Sequence, residues 1–262
     1  MTPSSQKLRA YEHLRDRLMF GEFPAGSRLS DVALAKNLGI SRTPIREALH
    51  LLASEGFVEQ VPGFGTFMKS MDRRELEEIY HLRELLEADS AERAASRLRS
   101  NELEELQQLC DESRAILERF RRTEGSKDVE DVPREWIVAD LSFHMLILRA
   151  SGNRKIMKIV SDSRMMTAVF AFKRYDPSVS LLNSMTVAYR QHCGILKALR
   201  KSDGAAAGKL MRAHLRDSRR RALAHYEWEQ THPSRAESSL RADPIRQIIH
   251  RMETYSDAGS KF

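Results

Sequence analysis

The stretch Ser41-Arg42-Thr43-Pro44-Ile45-Arg46-Glu47-Ala48-Leu49 decides the reading of this chain. Before it, Asp31 to Leu38 carries Val32, Leu34, Ala35 and Leu38 at helical spacing, and Gly39 supplies the left-handed backbone that ends a helix and turns the chain. A second helix follows. Ser41 or Thr43 can cap it, and Pro44 suits its first turn, where a missing N–H costs nothing. Ile45, Leu49 and Leu52 form an apolar stripe, while Arg42, Arg46 and His50 recur at every fourth position on another face. An arginine near a helix N-terminus can fork onto a guanine edge or clamp a phosphate, as major-groove readout requires. After Gly56, Phe57 to Val61 and Thr66 to Met68, joined through Pro62-Gly63-Phe64-Gly65, read as a two-stranded wing. Two arginines alone would be an ordinary solvated face; the ordered set of helix, glycine turn, basic helix and glycine-rich hairpin points to double-stranded DNA.

Residues from about Leu29 to Phe67 resemble the winged helix-turn-helix of the GntR superfamily of bacterial transcription regulators, whose motif Ser-Arg-Thr-Pro-(Val/Ile)-Arg-Glu-Ala-Leu stands here as Ser41 to Leu49. The resemblance implies operator contacts by Arg42, Thr43 and Arg46, with Ser41 counted beside them, and entry of the wing-tip glycine, here Gly63, into the minor groove. Two positions depart from that pattern. Val32 stands where the family usually has arginine, and Pro62-Gly63-Phe64-Gly65 lacks the basic residue or histidine common at the wing tip.

Charge is weak support for the DNA reading. The formal net charge is +6, but residues 1–70 hold 9 Lys/Arg against 7 Asp/Glu, residues 71–200 hold 22 against 22, and residues 201–262 hold 12 against 8. The motif carries the inference, and a homodimer would double the small basic patch. No apolar run approaches the ~20 residues of a membrane span, and Met1 to Gln6 has no signal-peptide core, so a cytoplasmic protein with no membrane partner is expected. Cys110 and Cys193 are too few for a disulfide framework and form no Cys-x-x-Cys pair, so both read as reduced and mostly buried.

Beyond Met71 helical patterns follow one another, broken near Ser100-Asn101, Gly125 to Pro133, Ser151-Gly152-Asn153, Asp176-Pro177 and Ser202-Asp203-Gly204. The expected fold is therefore mainly α: a winged helix-turn-helix of three helices and a two-stranded wing over residues 1–70, then an all-α bundle over 71–232. A polar extension follows over 233–262, either flexible or a short amphipathic helix around Ile245 to Met252. The first bundle helix, Asp72 to Leu98, shows Leu76, Ile79, Leu82, Leu86 and Ala91 near helical spacing; the second, Asn101 to Arg121, shows Leu103, Leu106, Leu109 and Ile116. The charged segment from Arg121 to Val132 reads as a loop or frayed end.

Within the bundle, Asp140 and His144 lie four residues apart on a helical segment, so both project from one face. His192 and His214 each stand 11 residues from Asp203, so an antiparallel hairpin turning there brings them to one height. Three imidazoles and a carboxylate form a set suited to a divalent metal ion of the zinc, nickel or manganese type, with coordination positions left open. Any one of the nine histidines taken alone is more often surface or satisfied core than ligand. The segments Asp140 to His144, Arg190-Gln191-His192 and Ala213-His214-Leu215 resemble the three motif stretches of the FadR-type C-terminal domain (FCD), which implies that these four residues bind a metal at the floor of an effector pocket. The resemblance further implies a small organic acid effector, held by the metal's open positions. Candidate pocket residues are Arg83, which is either a pocket arginine or a surface partner of Glu87, and Asn153, Arg164 and Tyr189.

The expected function is a homodimeric, ligand-responsive transcription regulator that binds operator DNA. A metalloenzyme fused to a DNA-binding domain and a direct metal sensor are the alternatives. The first lacks an assignable general base beside the four ligands, a Gly-rich phosphate loop and a Ser-His-Asp arrangement, so the chain is not read as an enzyme.

Overall fold

The computed structural model describes residues 3–19, 22–23, 26–123, 132–171 and 181–231. They divide into two compact units with the boundary between Asp72 and Arg73. The first contains α1 (Pro3–Met19), β1 (Arg28–Leu29), α2 (Asp31–Leu38), α3 (Arg42–Ser54), β2 (Val58–Val61) and β3 (Gly65–Met68). The Ala33 amide donates to Ser30 Oγ at 3.3 Å, capping α2. Gly39 closes that helix at φ 65°, a left-handed conformation glycine adopts without strain. Ser41 is the N-cap residue of α3, but its hydroxyl makes no capping bond. Ile45, Ala48, Leu49 and Leu52 are buried, with Leu14 and Leu18 of α1 in the same unit. Each buried aliphatic side chain is worth ~1.5–3 kcal/mol, which fixes the rotation of α3 and leaves Arg42, Thr43, Arg46 and His50 exposed.

The wing is part of a three-stranded antiparallel sheet in the order β1-β3-β2, one strand more than the sequence reading gave. The extra strand pairs Arg28 with Phe67 and Leu29 with Thr66. Two residues are too short to display the alternation by which strands are recognised. At the tip the Phe64 amide donates to the Val61 carbonyl at 3.0 Å, and Gly63 at φ 77° supplies the positive φ that a type II turn after Pro62 demands.

The second unit is all-helical: α4 (Arg73–Ala94), α5 (Ser100–Thr123), α6 (Val132–Ala150), α7 (Arg154–Ala171), α8 (Leu181–Arg200) and α9 (Gly204–Thr231), with the end of α7 from Met165 grouped with the first unit. α4 packs on α9 and α6, and α5 on α6 and α8. Gly204 is required for the α4–α9 approach, since a Cβ there would lie 2.7 Å from the Glu92 carbonyl oxygen. The helices break at 95–99, just before the expected Ser100-Asn101, at 151–153 and at 201–203, with Ser100 and Gly204 the first residues of α5 and α9, whereas Arg121 to Thr123 continue α5. The expected breaks near Gly125 and Asp176-Pro177, and the extension 233–262, lie outside the described residues.

α4 buries only part of the expected stripe, Leu76 and Ala91, with Ile79 and Leu86 half-buried. Leu82 is exposed, and the buried face consists of Leu76, Tyr80, Arg83, Glu84, Glu87, Ala88, Ser90, Ala91 and Ala94. Charged groups turn inward here because they pair with one another, which hydropathy does not register. No helix among the described residues is long and apolar enough to cross a membrane.

Candidate nucleic-acid interface and candidate metal centre

On the exposed face of α3, Arg42 and Arg46 share one carboxylate from the preceding helix. Arg46 Nε lies 2.7 Å from Asp31 Oδ2, and Arg42 Nη2 lies 3.0 Å from the same oxygen. Desolvation would raise the Asp31 carboxyl, but hydrogen bonds and charge from Arg46 and Arg42 together hold it below the usual carboxylate range. Both arginines remain more than half exposed, so any other anion can compete with Asp31 for them in water. Val32 is 54% exposed one residue further along α2, and Phe64 at the wing tip is 70% exposed. The sequence reading placed the arginines correctly and missed Asp31, whose separation of 11 and 15 residues carries no local signal.

In the second unit, Asp140 and His144 on α6, His192 on α8 and His214 on α9 come together, each offering one ligand atom with all four atoms within 4.8 Å of one another. The α8–α9 hairpin achieves the expected pairing: the His192 and His214 ring centroids are 4.8 Å apart. Asp140 Oδ1 lies 3.5 Å from His192 Nε2 and 3.9 Å from His144 Nε2. All three rings are buried, and the Nε2 atoms of His144 and His192 have no hydrogen-bond partner. Buried polar atoms left unpaired are costly, and here they face one another and a carboxylate. That arrangement fits a divalent cation, which would take the lone pairs of neutral imidazoles.

Neighbouring groups fix the rings. Gln191 Oε1 lies 2.8 Å from His214 Nδ1; with the amide oxygen accepting, the proton sits on Nδ1 and Nε2 keeps its lone pair. Glu87 Oε2 lies 2.7 Å from His144 Nδ1, though off the line of a well-aligned hydrogen bond. Phe143 stacks on His192 at 4.2 Å and 11°. Burial pushes all three histidines down, His192 to about 3, because an imidazolium there would lose its water. Burial would raise the Asp140 carboxyl, but the facing His144 and His192 rings and Arg164 hold it below its ordinary range.

Beside the cluster, Glu87 holds two buried arginines: Arg164 Nη2 at 2.6 Å and Arg83 Nε at 2.9 Å. Arg164 also reaches Asp140 Oδ2 at 3.3 Å. Burial opposes the Glu87 charge, yet Arg164 and then Arg83 hold its carboxyl well below the ordinary value. Arg83 thus pairs with Glu87 as one alternative had it, but inside the bundle and not at the surface. Asn153 is engaged elsewhere: its Oδ1 accepts from the Lys155 and Ile156 amides at 3.1 and 3.2 Å, capping α7. Tyr189 packs against the apolar cluster of Ile116, Leu117, Phe120, Ala139 and Met185. Glu87 and Gln191 are the residues the sequence reading missed. Glu87 was visible as the i+4 neighbour of Arg83, but its burial was not.

Both parts of the chain match known protein families. Residues 6–68 match the family model of bacterial regulatory proteins, gntR family, and residues 78–217 match the FCD domain. The chain is 31% identical over 206 residues to an uncharacterized HTH-type transcriptional regulator of Streptomyces ambofaciens, covering 79% of this chain and 80% of the relative. It is 30% identical over 187 residues to the Nta operon transcriptional regulator of Aminobacter aminovorans, covering 71% and 80%. Among solved structures, E. coli McbR/YncC superposes with a TM-score of 0.68 at 21% identity, covering 86% of this chain and all of that one, a likeness of fold. The chain belongs to the GntR family of transcription regulators and carries an FCD domain.

Proposed function

We propose that the protein binds double-stranded operator DNA as a homodimer and is controlled by a small carboxylate that docks at a divalent metal ion held by Asp140, His144, His192 and His214. The single observation carrying this reading is the buried convergence of those four ligand atoms. A divalent cation there supplies an electropositive centre with open coordination positions. Charge counting then favours an anion. Arg83 and Arg164 are balanced by Glu87 and Asp140, so a dication would stand uncompensated among buried helices until an anion joins it. The two buried guanidiniums beside the cluster add the positive charge that orients such an anion.

On DNA, Arg42 and Arg46 enter the major groove in place of their contact with Asp31, Ser41 and Thr43 lie exposed at the head of the same helix, and Gly63 leads the wing. A dimer presents two such helices to successive half-sites. Leu82 and Leu85 on α4, 39% and 49% exposed, offer apolar surface for a second copy. The regulatory step is a difference in effector affinity between two arrangements of the helices, and a few kcal/mol of coupling suffices.

The test is elemental analysis of purified protein beside the double variant His192→Ala/His214→Ala. The parent is expected to carry metal and the variant none; equal metal in both would eliminate the site. A thermal-shift screen of small carboxylates on the parent is expected to find stabilisers whose effect disappears after chelation.

A further inference from the structure

We infer that Cys110 and Cys193 form a peroxide-sensitive dithiol, a redox site separate from the metal centre. The chain has two cysteines, 83 residues apart in sequence, and the fold brings them to one interface: α5 packs on α8, Gln107 one turn before Cys110 lines the same cavity as Cys193, and the two thiols interact across that seam. Their surroundings differ. Cys110 is 2% exposed, while Cys193 is half-buried and lines an open cavity of about 290 Å³ with Gln107, Leu196, Lys197, Arg200 and Lys201. Three cations in that lining make it electropositive and accessible, the microenvironment in which thiols react.

Access assigns the roles. Hydrogen peroxide enters the cavity and the Cys193 sulfur attacks one of its oxygens. The O–O bond breaks, a C–S–O–H sulfenic acid forms, and the other oxygen leaves as water after taking the thiol proton. The Cys110 thiol then attacks the sulfenic sulfur; the S–S bond forms, the S–O bond breaks, and a second water leaves with the Cys110 proton. Two thiols have lost two electrons and two hydrogens, and the peroxide has become two waters. The disulfide ties α5 to the helix that carries His192 and is reopened by a dithiol reductant.

The experiment treats the reduced full-length chain with hydrogen peroxide, blocks remaining thiols with an alkylating reagent under denaturing conditions, and reads intact mass and a non-reducing peptide map. The expected result is a monomeric chain lighter by two hydrogens, unalkylated, with the Cys110 and Cys193 peptides linked. Cys110→Ser should leave a sulfenic acid at Cys193 that dimedone traps, and Cys193→Ser should leave Cys110 fully alkylatable after the same treatment. Full alkylation of both cysteines in the parent, overoxidation of Cys193 with Cys110 still free, or an intermolecular link would each overturn the pair. None of these readouts depends on bound metal or DNA.

Discussion

Asp31 and Glu87 each hold two arginines on one carboxylate, in opposite surroundings. Asp31 binds Arg42 and Arg46 in water on the first unit; Glu87 binds Arg83 and Arg164 inside the helical bundle. At the surface, solvent screens the attraction and offers each partner a replacement, so the pair is easily surrendered to another anion. In the interior neither guanidinium nor carboxylate has water to return to, so the same three-group arrangement becomes a fixed part of the fold. One arrangement is therefore exchangeable on the exposed face of α3 and rigid inside the helical bundle.

Removing each carboxylate tests that contrast. Glu87→Ala should have the largest effect, leaving two buried cations unpaired and costing ~3–5 kcal/mol of stability by analogy with other broken buried pairs. Denaturant unfolding measures it, and a loss below about 1 kcal/mol would mean that the arginines find water and that the buried cluster is not rigid.

Acid probes the same interior. Folded-state values of the three histidines are depressed, so the unfolded chain binds more protons as the pH falls below about 6.5. The stability they contribute is present above that pH and is lost progressively as the pH falls toward about 3, the value for His192. Each such histidine steepens the metal-free stability curve by up to ~1.4 kcal/mol per pH unit in this window. A flat curve from pH 7 to 5 in chelated protein would contradict the burial argument.

Arg46→Ala should weaken operator binding by ~1–3 kcal/mol while leaving the unfolding midpoint unchanged. Titration of labelled operator checks this, and unaltered affinity would remove Arg46 from the interface. Asp31→Ala should give the smallest effect, tighter DNA binding by well under ~1 kcal/mol, because it removes an exposed competitor. Weaker binding in that variant would show that Asp31 positions the arginines instead of covering them.

Legibility followed the same division. Wherever a rule is local, the residues disclosed it: Gly39 as a stop, Ile45, Leu49 and Leu52 as the packed stripe, Pro62-Gly63 as a turn, and Asp140 four residues before His144. The equal spacing of His192 and His214 about Asp203 even predicted a long-range contact, because a tight hairpin pairs positions symmetrically about its turn. The stripe on α4 failed where the helix buries Arg83 and Glu87, since a hydrophobicity pattern scores a charge by type and not by partner. β1 was too short to show a period.

Chain order by itself determined the two-part organisation, the basic helix with its glycine-rich hairpin, and the four candidate metal ligands, because each depends on spacing within a turn, a hairpin or a helix face. Only the tertiary structure decided that Asp31 covers Arg42 and Arg46, that Glu87 joins Arg83 to Arg164 beside the histidines, and that Cys110 meets Cys193. Those pairings join residues 11 to 83 positions apart, and which groups meet across such distances is set by how whole helix faces pack, where burial and the dielectric around each charge are established together.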